Sequence, residues 1–225
     1  MSKVFASWSG GKESCLACYR AIASGLKVRY LANMVTEDGT RSRTHGLSAS
    51  ILKLQSQAMG IPLVQRQTTW QSYESEFKKM IGEFRQEGIE GGVFGDIDLE
   101  EHREWVERVC REAGITPHQP LWGQSQAEIL RDFVDSGFIA VVVATRADKL
   151  GEEWLGRKID ADFVEQITEM SKTQAVTPCG ETGEYHTLVV DGPLFQKRME
   201  ITEAKKILRD DHWFLEITNA ELKAK

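Results

Sequence analysis

The sequence predicts an α/β protein: a doubly wound parallel sheet followed by a smaller mixed α/β C-terminal domain. Three observations carry that expectation. Short apolar runs alternate with amphipathic helical patterns from the N-terminus to Trp122. The glycine pair Gly10-Gly11 stands between the first such run and the first helix, where a doubly wound sheet places its first ligand-binding turn. After Gly123 the rhythm changes to one helix, one apolar strand, a second helix and then mainly extended segments. The implied domains are 1–122 and 123–225.

Taken in order, residues 4–8 form a short apolar strand, and a helix over 12–24 carries its apolar positions on one face. A strand over 28–35 leads into a polar, glycine-containing loop over 36–48, followed by a helix over 49–59 and a strand over 61–67. A charged amphipathic helix over 73–87, a strand over 92–97 and a helix over 101–113 continue the alternation, which closes on an extended segment ending at Leu121-Trp122. In the second domain the pattern gives a helix over 126–135, a buried strand over 138–145, a loop containing Leu155-Gly156-Arg157 and a helix over 162–170. Extended segments follow around 188–190, 199–202 and 213–217. No repeat or low-complexity tract points to a scaffold or solenoid.

With 225 residues, 41% hydrophobic and 28% charged, the chain can bury a full core. Its longest uninterrupted apolar run, 138–144, falls far short of the roughly 18 residues that span a bilayer, and residues 1–4 lack a signal-peptide block. A cytoplasmic location with no membrane partner is therefore expected. A net charge of −6 argues against a main role in gripping nucleic acid through its phosphates. The four cysteines read as reduced thiols. Cys15 and Cys18 form a C-x-x-C within the first helix, where no second pair completes a zinc site, so helix packing accounts for them.

The segment Ser9-Gly10-Gly11-Lys12-Glu13-Ser14 is the most informative in the chain. Two glycines let the backbone turn tightly and present N–H groups to an anion, and the following helix adds unpaired donors and about half a positive charge. Lys12 supplies a full charge, and the Ser9 and Ser14 hydroxyls can bond phosphate oxygens. The adjacent glycines exclude the kinase and GTPase loop, whose glycines are separated by four residues. In a parallel sheet this loop and Gly95-Asp96-Ile97, at the end of the fourth strand, open toward the same edge. Asp96 is placed to hold Mg2+ against phosphates, since hard cations prefer carboxylate oxygens; it could equally cap the next helix.

A second cluster, Cys179-Gly180-Glu181-Thr182-Gly183-Glu184-Tyr185-His186-Thr187, precedes the apolar Leu188-Val189-Val190. It offers carboxylates, an imidazole and glycines at the mouth of a strand, suited to a cationic or polar substrate; a solvated turn would use the same letters. A nucleophile and base pair made of Cys179 and His186 does not follow from proximity in sequence.

The loop resembles the Ser-Gly-Gly-x-Asp/Glu-Ser loop of the PP-loop ATP pyrophosphatases. The loop, the Gly-Asp-Ile strand end and the Glu-x-Gly-Glu-Tyr-His-Thr segment together resemble, in the same order, the diphthine–ammonia ligase family. Further similar stretches are Gln57-Ala58-Met59-Gly60-Ile61-Pro62-Leu63 after the loop holding His45, Pro120-Leu121-Trp122 and Leu155-Gly156-Arg157, so the resemblance covers nearly the whole chain. It implies a sheet of the adenine nucleotide alpha hydrolase-like type and an ATP-dependent amidation. The carboxylate of diphthine, a modified histidine of translation elongation factor 2, would become an amide at the expense of ATP and ammonia, with release of AMP and pyrophosphate. Elongation factor 2 is the expected partner if the source is archaeal or eukaryotic.

By the same resemblance Ser9, Gly10, Gly11, Lys12, Glu13, Ser14 and Gly95 would bind ATP, with adenine against the end of the second strand at Asn33 and Met34. Lys12 and Asp96 would be catalytic, Asp96 holding the metal. His45, Glu181, Gly183, Glu184, His186 and Thr187 would bind the acceptor, with Glu184 facing its trimethylammonium group. Glu13 departs from the commoner aspartate, which bears on metal geometry, and Thr182 from a glycine, which would narrow the acceptor pocket. Another adenylating reaction, on an unrelated carboxylate or on tRNA, a non-catalytic ATP-binding regulatory module and assembly into a homo-oligomer stay open as alternatives.

Overall fold

The structure, a computed structural model, describes residues 1–225 and divides into two compact units. The first comprises Met1–Ser9 and Glu13–Trp122; the second comprises Gly10–Lys12 together with Gly123–Lys225.

In the first unit the chain runs β1 (Lys3–Ser7), α1 (Lys12–Ala23, only its first residue belonging to the second unit), β2 (Lys27–Val35), α2 (Ala49–Met59), β3 (Leu63–Gln67), α3 (Tyr73–Gln86), β4 (Gly91–Val93), α4 (Glu100–Ala113) and β5 (Thr116–His118). The five strands make one sheet in the order β3-β2-β1-β4-β5, and every pairing is parallel. The order steps outward from β1 in one direction and then in the other. With right-handed crossovers that reversal puts helices on both faces, so the fold is α/β and doubly wound.

Caps mark where the helices begin and end. The Ser48 hydroxyl accepts from the Ile51 amide at the start of α2, and Gly60, left-handed at φ 71°, closes its end. On one face of the sheet Phe5 meets the rings of Phe84 at 5.3 Å and of Phe77 and Phe94 at 6.0 Å, in a cluster completed by residues of α3 and α4 such as Met80, Ile81, Val106 and Val109. Cys15 and Cys18 are buried in α1, where burial pushes the Cys18 thiol up to about 12 and the Cys15 thiol well upward. Such thiols pack and do not react at neutral pH.

Three boundaries differ from the sequence reading. The strand expected from residue 61 begins at Leu63, because Pro62 has no N–H for the ladder and contributes only its carbonyl, to the Leu31 amide. The strand expected over 92–97 stops at Val93, the last residue paired with β1, after which only Phe94 still bonds, through its amide to the His118 carbonyl. Leu121-Trp122 is not extended but turned, with the Trp122 amide donating to the Gln119 carbonyl.

In the second unit α5 (Gln126–Asp135), β6 (Ile139–Arg146), a 3-10 turn (Glu152–Trp154), α6 (Ala161–Thr173), β7 (Tyr185–Asp191), β8 (Lys197–Arg209) and β9 (His212–Ala224) form an antiparallel sheet ordered β7-β6-β9-β8 with two helices. β8 and β9 are each 13 residues long, well beyond the short apolar runs that announced them. Their hairpin closes on Asp210 and Asp211, both at positive φ as a two-residue turn of this twist requires. No helix is long and apolar enough to cross a membrane.

Gly92 faces Phe5 across the β1–β4 pair, and a Cβ there would lie 2.7 Å from the Phe5 ring and 2.9 Å from that of Phe94. Gly92→Ala is expected to cost about 1–3 kcal/mol, read as a lower urea midpoint with an unchanged m-value.

Candidate functional site

The loop after β1 is built from both directions. Trp8 is buried, donates its indole N–H to Gln55 Oε1 at 2.8 Å and its amide to the Ala32 carbonyl, and so fixes the exit of the strand. Gly10 then turns at φ 82°, a conformation that L side chains avoid. Ser9 and Ser14 hydroxyls stand 3.2 Å apart. Gly95, five residues before the first residue of α4, lies against the same loop: a Cβ there would sit 3.0 Å from the Glu13 carbonyl carbon. Its lack of a side chain lets two backbone segments approach closely at the strand ends.

Asp96 follows, its side chain 19% exposed and 3.5 Å from His102 Nδ1. Burial, with Asp96 nearby, pushes Tyr73 up to about 12. No group of three His, Cys, Asp or Glu side chains converges to hold a metal by itself. A single carboxylate suits Mg2+ of the kind that travels with a nucleotide, which keeps several waters and takes its remaining oxygens from phosphates.

At the end of β2, Asn33 is a buried bracket: its amide nitrogen donates to the Trp8 carbonyl at 2.8 Å and to Ser42 Oγ at 2.9 Å, and its oxygen accepts from Gln65. The Met34 carbonyl accepts from the Arg43 amide at 2.9 Å, so the 41–43 segment covers that stretch of strand edge. His45 lies farther along the same loop of the first unit.

The second unit gathers Gly10–Lys12 with the turn at 177–184 and β7. The Gly10 carbonyl accepts from the Val189 amide at 3.0 Å, and the Lys12 amide donates to Thr187 Oγ1 at 3.1 Å. Thr187 thereby caps one of the orphan donors at the start of α1. The Lys12 side chain is 3% exposed; Nζ donates to the Cys179 carbonyl at 2.6 Å and lies 4.3 Å from the centre of the Tyr185 ring.

Glu184 is wholly buried. Its Oε1 accepts from the Thr177 amide at 2.6 Å and Oε2 from the Thr182 amide at 2.9 Å. Burial alone would raise its carboxyl, but these bonds and its own backbone amide outweigh burial and hold it below the ordinary glutamate value. The carboxylate that sequence reasoning aimed at a cationic acceptor is thus engaged inside its own turn. Gly183, at φ 84°, makes that turn possible, while Glu181 receives its own fixing bond from its amide to Thr177 Oγ1. The Thr182 side chain is exposed. His186 is driven down to about 4, chiefly by burial and then by the charges of Lys12 and His212, so its imidazole is neutral at neutral pH.

Sequence reasoning missed Tyr185, Gln126 and the Cys179 carbonyl around Lys12, and Ser42, Gln65 and Arg43 around the end of β2. Backbone carbonyls and ring faces carry no motif, and the partners of Lys12 lie more than a hundred residues along the chain from it.

A parallel doubly wound sheet with a Ser-Gly-Gly-Lys-Glu-Ser turn leading into its first helix defines an α/β protein with a glycine turn at the end of its first strand. Residues 2–117 match the diphthamide synthase N-terminal domain and residues 125–222 the diphthamide synthase C-terminal domain. The chain belongs to the diphthamide synthase family. It is 30% identical to human diphthine–ammonia ligase, over 92% of this chain and 85% of that protein, and 29% identical to the rat enzyme, over 98% and 90%. Its match to the fission yeast protein, 28% identical, covers 91% of this chain and 37% of that longer relative.

Since the Glu184 carboxyl is depressed on folding, its contribution is present above the unfolded glutamate value of about 4.5 and is lost as pH falls through the folded value. Glu184→Gln replaces one acceptor by a donor facing an amide. It is expected to cost about 1–3 kcal/mol at pH 7 and to flatten the acid limb of stability below roughly pH 4.5, checked by urea unfolding across pH.

Proposed function

We propose that this chain is an ATP-dependent amide ligase that converts the carboxylate of diphthine on translation elongation factor 2 into diphthamide. The family carries the reaction class, and one observation carries its location: the glycine turn at the end of β1 that leads directly into the N-terminus of α1. Backbone amides, the helix terminus, Ser9, Ser14 and Lys12 concentrate positive potential and hydrogen-bond donors at one turn, the chemistry a triphosphate needs.

A carboxylate is a poor acceptor for ammonia, since the departing group would be oxide. In the first step an acceptor carboxylate oxygen attacks the α-phosphorus of ATP; the bond to the β-phosphate oxygen breaks, and pyrophosphate leaves against the turn and Lys12. Ammonia then attacks the carbonyl carbon of the acyl-adenylate, the bond to AMP breaks, and the nitrogen loses its surplus proton to solvent. Mg2+ bound with ATP would offset phosphate charge, and Asp96 is the carboxylate offered to it. Adenine is placed at the end of β2 beside Asn33 and Met34. The acceptor is assigned to the 181–187 turn and strand, with Glu184 shaping the turn rather than meeting the substrate, and with His45 as a further contact from the loop before α2.

Incubation with ATP, ammonium and diphthine-bearing elongation factor 2 should yield AMP and pyrophosphate in step with a mass change at the modified histidine. ADP as product, or no turnover, would exclude the reading. Asp96→Asn should lower turnover by roughly 10-fold or more and raise the Mg2+ concentration needed for half-maximal rate, measured by pyrophosphate release.

A further inference from the structure

A buried lysine must find partners or lose its charge, and its flexible four-carbon stem carries roughly 2 kcal/mol of rotamer entropy that has to be overcome before the ammonium has one position. Within the second unit Lys12 Nζ meets the Cys179 carbonyl and the face of the Tyr185 ring, both of them neutral groups. Neutral partners fix the place of an ammonium without cancelling its charge. Each partner is itself held. The Cys179 amide donates to Gln126 Oε1 at 2.9 Å and its thiol to the Gln126 carbonyl at 3.3 Å, so the first residue of α5 holds Cys179, and with it the carbonyl that follows, through two bonds. The Tyr185 ring is wedged edge-on against Phe163 at 5.5 Å, and its hydroxyl donates to the Pro178 carbonyl at 2.5 Å. Gly180 completes the packing, since a Cβ there would lie 2.6 Å from the Tyr185 carbonyl oxygen.

We infer that Gln126 and Tyr185 are positioning residues for Lys12: Gln126 sets the Cys179 carbonyl, Tyr185 supplies an aromatic face, and together they hold the ammonium at the first residue of α1. The inference rests on the ATP-ligase reading for its kinetic consequence, but the berth itself can be tested without turnover. An ammonium fixed beside a leaving pyrophosphate acts in the transition state, so loosening it lowers kcat and leaves ATP binding nearly intact.

The test compares wild type with Gln126→Ala, Tyr185→Leu and Tyr185→Phe by limited acetylation of lysines mapped by mass spectrometry, alongside AMP formation. The expected result is that Lys12 resists labelling in wild type and Tyr185→Phe, which keeps the ring. In Gln126→Ala and Tyr185→Leu its labelling should rise about tenfold while other lysines are unchanged, and kcat should fall about tenfold with KM for ATP within about twofold. Should Tyr185→Leu unfold, seen as general lysine labelling, Gln126→Ala decides. Unchanged Lys12 labelling in the folded variants, an equal rise in Tyr185→Phe, or raised labelling with unaltered kcat in an active enzyme would each overturn the inference. A wild type that forms no AMP sinks the ATP-ligase reading instead, and the labelling pattern alone then decides whether the berth exists.

Discussion

The interaction on which the site depends is the burial of the Lys12 ammonium against the Cys179 carbonyl and the Tyr185 ring. A glycine turn is pliable by nature, and pliability is a poor basis for binding a polyanion in one geometry. Three ties remove that freedom: the Val189 amide on the Gly10 carbonyl, the Thr187 hydroxyl on the Lys12 amide, and the Cys179 carbonyl on Lys12 Nζ. They hold the turn to β7 and to the segment before it. Gly10–Lys12 of the turn proposed to carry phosphate and the segment proposed to carry the acceptor are therefore built as one piece of the second unit.

That arrangement gives the acidic 181–187 segment a meaning its letters do not suggest. Glu184 organises backbone amides from within, in the manner of a carboxylate closing an anion nest, and its negative charge is satisfied before any substrate arrives. Thr187 serves the start of α1. In the same segment Thr182 is exposed and His186 is a neutral imidazole, whose low proton affinity follows from burial beside a fixed cation. A neutral imidazole can accept a hydrogen bond from a nucleophile such as ammonia without carrying a competing positive charge.

The first unit works by close approach. Gly92 admits the Phe5 ring, which anchors the aromatic core under β1, and Gly95 admits the Glu13 backbone, which brings the end of β4 to the start of α1. Both glycines act by leaving room for a neighbour that a Cβ would displace. Asn33 holds the end of β2 to Trp8 and Ser42, so the strand edge assigned to adenine is shaped by a buried amide and by the 41–43 segment that covers it.

The sequence by itself determined the alternation of strands and helices, the switch of architecture after Trp122 and the glycine turn before α1, because these rest on local periodicity and on residues adjacent in the chain. It also marked Asp96 and the 179–187 cluster as chemically dense. It could not show the full length of β8 and β9, which pair with each other from end to end and extend well past the short stretch of β9 that pairs with β6. Nor could it separate the carboxylate that meets a ligand from the one that builds a turn, since both are written Glu. Tertiary structure decided that Glu184 is internal, that Thr187 is a cap and that Tyr185 and Gln126 fix Lys12. The cap and the Lys12 contacts depend on groups brought together from distant positions, and the Glu184 bonds on the exact path of its turn; only the folded backbone sets those distances.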